Sequence, residues 1–483
     1  MTADRIAPPA AALFPDRATR ERVEDRLTRA LAAAQERVVR GPVTPDIDMA
    51  ELRRELAGCD FAQPRPLEEL LDWVIGGLEH GTVHMTHRRY FGLFNPAPNF
   101  PAQCADRICG SFNPQLASSG SSPVPVAIEA HVVAAIAARA GLPPQSAGHF
   151  TTGGSEANYT ALVCALTRAE RRFATEGVRA FAGAVAMYTS RECQPAWHKI
   201  AHQAGIGRQA LKLIDTDGMG RMDAAALSRA VRADLERGAV PVLISATAGT
   251  TGAGMIDPLA PCAAIAREHG LWYHVDAAWG GAAICSERLR GQLAGIELAD
   301  SVTIDAHKWF ATTMGCGMYI TRHPHILSDA FHVGADFMPS TASSLDPYLN
   351  TVQWSRRFMG LRLFLSLAAA GWSGFAAHIE RAVAVIERVR ERLAALGWST
   401  PNDSQLGVLC AVPPPGSAKV REIVRRVLAS GRAWVAVATY EGREVIRVCV
   451  THGETSPGDV EELVAALQVA AGADVGAEAD VHR

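Results

Sequence analysis

Between about residues 90 and 319, short apolar runs alternate with stretches of helical periodicity, and that alternation narrows the possible folds more than any other feature of the chain. The runs fall at 182–186, 241–245, 271–275, 301–304 and 317–320. Alternation of this kind predicts an α/β fold, a mostly parallel sheet covered by helices on both faces, with ligands bound beyond the carboxyl ends of the strands. Upstream, Val23, Leu27, Leu31, Ala34 and Val38 recur at helical spacing and stop at the breaker Gly41-Pro42, which predicts an N-terminal helical segment. Downstream, Ile379, Val383, Ile386, Val389 and Leu393 predict a long helix. Strands near 406–412, 434–438 and 445–450, with helices over 420–428 and 457–470, then complete a small α+β domain. The expected organisation is a helical segment over 1–89, a large α/β domain over 90–372 and the small domain over 373–483.

Three polar segments occupy the places where such a sheet holds its ligands. In Thr152-Gly153-Gly154-Ser155-Glu156-Ala157-Asn158, the glycines allow close backbone approach to an anion and Ser155 adds a hydroxyl where a helix begins; a helix N-terminus with free N–H groups is an anion site. In His274-Val275-Asp276-Ala277-Ala278, Asp276 ends a buried strand at a crevice, where a carboxylate can keep a pyridine nitrogen protonated. In Asp305-Ala306-His307-Lys308-Trp309, the lysine follows a second strand and comes beside Asp276 if the two strands are neighbours. Desolvation and nearby cations make such an amine a nucleophile. Taken singly, a Gly-Gly-Ser is usually a turn, a strand-end Asp a cap and a Lys a solvated charge. In this order they supply a phosphate cradle, a partner for a pyridinium nitrogen and an amine for an aldehyde, the parts that pyridoxal phosphate needs.

On these segments the chain resembles the fold-type I, pyridoxal phosphate-dependent group II amino-acid decarboxylases, which include aromatic-amino-acid, glutamate and diaminobutyrate decarboxylases. The resemblance runs from about Tyr90 to Thr451. It implies Gly154, Ser155 and His307 as phosphate ligands, Asp276 as the ring-nitrogen partner, Ala278 as a residue packing on the ring and Thr251 as a neighbour of the phenolic oxygen. Lys308 becomes the Schiff-base lysine and Arg447 a residue near the substrate carboxylate or the active-site loop, against the plainer reading of a strand arginine in a surface ion pair. Phe94 and Gln115 fall in regions that line the substrate pocket of family members, the second reaching in from the other subunit of a homodimer. The implied reaction is loss of the α-carboxylate of an L-amino acid through a quinonoid.

Two positions depart from the commoner pattern. Most members stack a histidine over the pyridine ring, whereas Gln194 aligns there, with His198 one helical turn later. Members often protonate the quinonoid carbanion with a loop tyrosine; Phe337 stands at the matching place, and a phenyl ring has no proton to give, which leaves His332 or a water. Members with phenylalanine at this place, or with asparagine for the stacking histidine, are associated with decarboxylation followed by oxidative deamination to an aldehyde. That is the alternative reading; another pyridoxal phosphate class, an aminotransferase or a retro-aldol lyase, is a third. Bulky apolar side chains of aromatic-specific members are missing at Gln115 and Ala117, and no cationic cluster marks a glutamate pocket. The resemblance therefore leaves the substrate side chain open.

Composition fits a soluble enzyme. With 483 residues, 48% hydrophobic, 20% charged and a net charge of −3, the chain can bury a large core and has no basic excess for nucleic acid or an anionic membrane. No cationic leader precedes an apolar stretch and no apolar run approaches the ~18 residues of a membrane span, so a cytoplasmic location is expected. The ten cysteines form no Cys-x-x-Cys pair, which favours reduced thiols. His80, His84 and His87 have a spacing that would suit a metal if helical, but Gly81, Thr82 and Val83 between them argue against a helix.

Overall fold

The computed structural model describes residues 10–46, 48–59, 61–333 and 346–472. Its centre is a seven-stranded sheet of β1 (Ala147–Thr151), β2 (Val185–Ser190), β3 (Leu211–Ile214), β4 (Val240–Thr247), β5 (Trp272–Asp276), β6 (Ser301–Asp305) and β7 (Gly317–Thr321), in the spatial order β1-β7-β6-β5-β4-β2-β3. From β3 through β6 every neighbouring pair is parallel, and β7 runs antiparallel between β6 and β1. Parallel strands need covering on both faces, and every residue of β5, β6 and β7 is buried. The mostly parallel α/β sheet that the alternating pattern predicts is therefore present.

Its details differ from the prediction at three strands. The run at 182–186 is mainly an approach turn, and β2 starts only at Val185; Gly183 in that turn packs so tightly on the carbonyl of Gly238 that a Cβ there would overlap it. β1 carries Gly148 and His149 in its middle and β3 is only four residues long, so neither makes the continuous apolar run by which the others are legible.

A second sheet joins β8 (Val408–Ala411), β9 (Ala436–Tyr440) and β10 (Arg443–Cys449) in the antiparallel order β8-β10-β9. The helix Val420–Ala429 packs against it, burying Val420, Ile423, Val424 and Val427, the one-face spacing of an amphipathic helix. Against the expectation that no apolar run approaches a membrane span, the long helix Gly360–Ala394 contains an 18-residue window of mean hydropathy 1.2, long and apolar enough to cross a bilayer. That helix breaks at Gly371 (φ 63°) and buries Leu363, Phe375, Ile379, Val383, Ile386, Val389 and Leu393 in the protein core. It also carries Arg362, buried and paired with Asp106 at 2.8 Å.

The N-terminal helices Arg17–Arg40 and Leu67–Gly81 pack on each other through Arg37 and Glu79 (2.6 Å) and leave Leu31, Val39, Leu67, Val74 and Leu78 exposed. The helix ends at Gly81, so His84 and His87 do not share a helix face with His80. All ten cysteines are free thiols.

Candidate active site

Side chains alternate across a strand, so Trp272, His274 and Asp276 of β5 point to one face of the sheet and Ser301, Thr303 and Asp305 of β6 to the same face. The two strands pair in parallel with His274 opposite Ser301 and Asp276 opposite Thr303. Asp276 and Asp305 thus finish their strands side by side, at the end where a parallel sheet opens on a crevice. The helix Gly154–Ala169 covers that face. No side chain caps its N-terminus, so its first N–H groups remain available to an anion.

A cavity of about 300 Å³ lies at this junction, lined among others by Gly154, Ser155, Asn158, Gln194, Asp276, Ala278, Asp305, His307 and Lys308. Lys308 Nζ lies 3.1 Å from Asp305 Oδ2. Asp276 is 5% exposed and accepts from Asn158 Nδ2 at 2.8 Å and from the backbone N–H of Ala278 at 3.1 Å. Burial pushes its carboxyl up, while Lys308 and those two donors pull it back toward the ionised form. His307 Nδ1 accepts from the backbone N–H of Cys316 at 3.2 Å, so in the neutral ring the proton sits on Nε2 and is available as a donor. Gly154 leaves little room for a side chain, since a Cβ there would stand 2.9 Å from Asp305 Oδ2 and 3.3 Å from the Ala278 methyl.

These residues fit pyridoxal phosphate. The uncapped helix start, the Ser155 hydroxyl and the His307 Nε2–H suit a phosphate; the buried, doubly hydrogen-bonded carboxylate suits a pyridinium nitrogen; Lys308 supplies an amine and Ala278 an apolar floor.

Arg447 and Phe94 stand beside the cavity. Arg447 is 2% exposed, so it makes no surface ion pair. Its Nε donates to the carbonyl of Thr251 at 2.7 Å, its Nη1 donates to the carbonyl of Gly92, and its Nη2 is buried with no partner among the described residues. Its guanidinium lies 4.5 Å from the Phe94 ring centroid and Lys308 Nζ lies 5.6 Å from the same ring, so Phe94 is the aromatic neighbour of both cations. Phe94 in turn stacks on Trp279 at 4.1 Å, and Trp279 on Trp309 at 4.7 Å. Thr251 is not among the residues that line the cavity, and its carbonyl anchors Arg447.

The remaining predicted residues do not all converge. Gln194 reaches the cavity, but its Oε1 accepts from the backbone N–H of Ala196. Gln115 lies elsewhere, its Nε2 on Ser355 Oγ at 2.8 Å and its side chain lining a separate apolar cavity of about 630 Å³ with Ile108, Phe112 and Phe358. His332 is exposed at the end of the helix His325–Phe331. Phe337 lies outside the described residues. Sequence reasoning missed Asp305 and Asn158 as site residues. Both stood inside the quoted motifs, and the spacing of Ser301, Thr303 and Asp305, polar at every second position of a buried strand, was the signal that could have found the first.

Fold and site together define a fold-type I pyridoxal phosphate enzyme. The model of the pyridoxal-dependent decarboxylase conserved domain matches residues 59–410, and the chain belongs to that family. An aromatic-L-amino-acid decarboxylase of Bacillus atrophaeus is 25% identical over 448 residues, covering 89% of this chain and 91% of its own length. A cysteine sulfinic acid decarboxylase of Mus musculus is 31% identical over 357 residues, 69% of this chain and 72% of its own. The crystal structure of mouse CSAD matches with a TM-score of 0.87 at 25% identity, covering 94% of this chain and 99% of that one.

Proposed function

We propose that this pyridoxal phosphate-dependent decarboxylase removes the α-carboxylate of an L-amino acid, with Lys308 as the amine that holds the cofactor. The observation that carries the reading is the meeting of Lys308, Asp276 and the uncapped start of the helix Gly154–Ala169 in one cavity. The cofactor supplies an aldehyde for amines and a protonated ring that takes up the electron pair left at Cα. Gly154, Ser155 and His307 would hold its phosphate, Asp276 would keep its ring nitrogen protonated, and Ala278 would offer the ring an apolar contact. Asp305 holds the Lys308 ammonium whenever that lysine is free, since the two lie 3.1 Å apart. Arg447 offers its unpartnered Nη2 to the substrate carboxylate, and Phe94 gives both cations of the site an aromatic contact.

The active unit we propose is a homodimer. Phe112 is 81% exposed beside the Gln115 cavity, and the N-terminal helices present an uncovered row of leucines and valines; a second copy that buries these faces would carry Gln115 toward its partner's site. Light scattering on the active species tests this, and an active monomer would refute it.

A second reading, decarboxylation with oxidative deamination, is favoured by the cavity's shortage of proton donors. Among the described lining residues His307 is the one imidazole, and Gln194, which borders the cavity, carries no titratable group. Its balance is amino acid, O2 and water giving aldehyde, CO2, ammonia and hydrogen peroxide. One panel of amino acids, with CO2, amine, aldehyde, ammonia, peroxide and oxygen uptake followed together, separates the readings. Amine and CO2 in equal amounts without oxygen uptake support simple decarboxylation; aldehyde with peroxide supports the second; neither product from any amino acid would sink both. Borohydride reduction and peptide mapping should place the pyridoxyl group on Lys308, and a label on any other lysine would overturn the site assignment.

A further inference from the structure

Behind Asp276 runs a chain of buried hydrogen bonds in which every proton has one direction. Trp272 Nε1 lies 2.8 Å from Ser301 Oγ, Ser301 Oγ lies 2.8 Å from His274 Nδ1, His274 Nε2 lies 3.0 Å from Asn158 Oδ1, and Asn158 Nδ2 lies 2.8 Å from Asp276 Oδ2. An indole N–H only donates and a carboxylate only accepts, so both ends of the chain are fixed. Asn158 must turn its amide NH2 to Asp276, since the flipped amide would set its oxygen against the carboxylate. Its oxygen then accepts from His274 Nε2–H, which leaves Nδ1 to accept from the Ser301 hydroxyl, itself accepting from Trp272. Thr303 Oγ1, 3.3 Å from the same Nε2, takes at most the weaker share of that proton. His274 is 0% exposed and Asn158 3%, so the chain is buried behind the cavity and meets it only at Asn158 and Asp276. Burial holds the His274 imidazole neutral, its pKa pushed down to about 3.

We propose that Asn158 and His274, oriented by Ser301 and Trp272, are positioning residues that keep Asp276 ionised and aimed at the cofactor's ring nitrogen. The proposal rests on the reading above of Asp276 as the ring-nitrogen partner. The strand register builds the device: β5 supplies Trp272, His274 and Asp276 at every second position, and His274 is paired directly with Ser301 across to β6. Donors aligned head to tail polarise one another in a low-dielectric interior, and the last of them ends on the carboxylate that burial would otherwise push toward its neutral form. His274 acts through Asn158 and Asn158 through Asp276; neither needs to touch the substrate.

The test compares holoenzymes carrying pyridoxal phosphate with holoenzymes carrying its 1-deaza analogue, which has carbon in place of the ring nitrogen. Asn158→Leu should lower kcat about ten- to hundredfold with the natural cofactor, the range for loss of a hydrogen bond to a charged group, and should stay within about twofold of wild type with the analogue. Ser301→Ala, two links further from Asp276 than Asn158, should show the same dependence at smaller size and keeps the test open if Asn158→Leu folds poorly. In a second readout, the 15N shift of ring-labelled cofactor should move from the pyridinium toward the pyridine position in both variants. Equal losses with both cofactors and an unmoved 15N shift would reduce the chain to packing and overturn the proposal. If Asp276→Asn also loses as much with the analogue as with the natural cofactor, it is the assignment of Asp276 that fails; if Asp276→Asn depends on the nitrogen while Asn158→Leu does not, only the positioning chain fails.

Discussion

His149 is held where an imidazole cannot be charged, and replacing it should change the acid limb of stability in a calculable way. It lies in β1 opposite Tyr319, 5% exposed, with neither ring nitrogen hydrogen-bonded among the described residues. Burial, with the Arg356 charge a smaller contributor, pushes its pKa from 6.5 down to about 3. A folded value below the unfolded one means that the unfolded chain binds the proton first, so stability falls as pH drops from about 6.5 toward 3. At pH 5 the unfolded histidine is about 1.5 units below its pKa, and at 1.36 kcal/mol per unit the loss is about 2 kcal/mol. His149→Leu, similar in volume, removes that loss, and it also removes a buried polar group without partners, whose desolvation costs about 1–3 kcal/mol at any pH. The variant should therefore gain about 1–3 kcal/mol at pH 7.5 and about 2 kcal/mol more at pH 5. Denaturant midpoints of both proteins at both pH values, with cofactor saturating throughout, give the two differences. His87 and His274, also buried and depressed to about 4 and about 3, remain in both proteins and cancel. An equal gain at both pH values would show that His149 titrates normally in the folded state, and a loss at both would show that its nitrogens have partners that matter.

Three further outcomes follow from the site. Gly154→Ala should weaken pyridoxal phosphate binding at least about tenfold and cost about 1–3 kcal/mol by overpacking against Asp305 and Ala278; absorbance titration of the apoprotein reads the first and thermal unfolding the second. Arg447→Met should retain cofactor yet lower kcat/KM about ten- to hundredfold, as expected for one lost hydrogen bond to a charged group, and the substrate amide, which cannot be decarboxylated, should inhibit the two proteins with the same Ki. Phe337→Tyr should shift products from aldehyde and peroxide toward amine if the wild type consumes oxygen; unchanged product ratios would remove that position from the protonation step.

Much of the architecture was legible because the central strands are short, largely apolar runs bounded by helical stretches, and a run such as 271–275 has one sensible place in an α/β fold. β1 was not, since Gly148 and His149 interrupt it and it takes its order from pairing with β7, a long-range choice that no local window contains. Lys308, Asp276, Gly154, Ser155 and His307 were legible as motif residues, and the cavity brings them together. Arg447 was ambiguous in sequence because a strand arginine looks the same whether it faces water or protein; only the packing of Gly92, Phe94 and Thr251 around it decides. Gln115 is undecided by one chain, since its surroundings depend on what covers Phe112.

The two central strands also show why the site sits where it does. Tyr273, Val275, Val302 and Ile304 point to the face where one apolar core lies, while the opposite face carries Trp272, His274 and Asp276 beside Ser301, Thr303 and Asp305, under the Gly154–Ala169 helix. Parallel strands buried on both sides normally read as apolar throughout, and each buried polar group costs stability unless it finds a partner. Here almost every one does: Trp272 with Ser301, Ser301 with His274, His274 with Asn158, Asn158 with Asp276, and Asp305 with Lys308. The unmet needs collect at the cavity end, where the carboxylates, the amine and the free helix N–H groups have room for more partners than the protein provides. A sheet that spends two strands' worth of core positions on such a stripe retains it for what binds at its end, and the pairing register that aligns the stripe is the same register that brings Lys308 and Asp276 to one cavity.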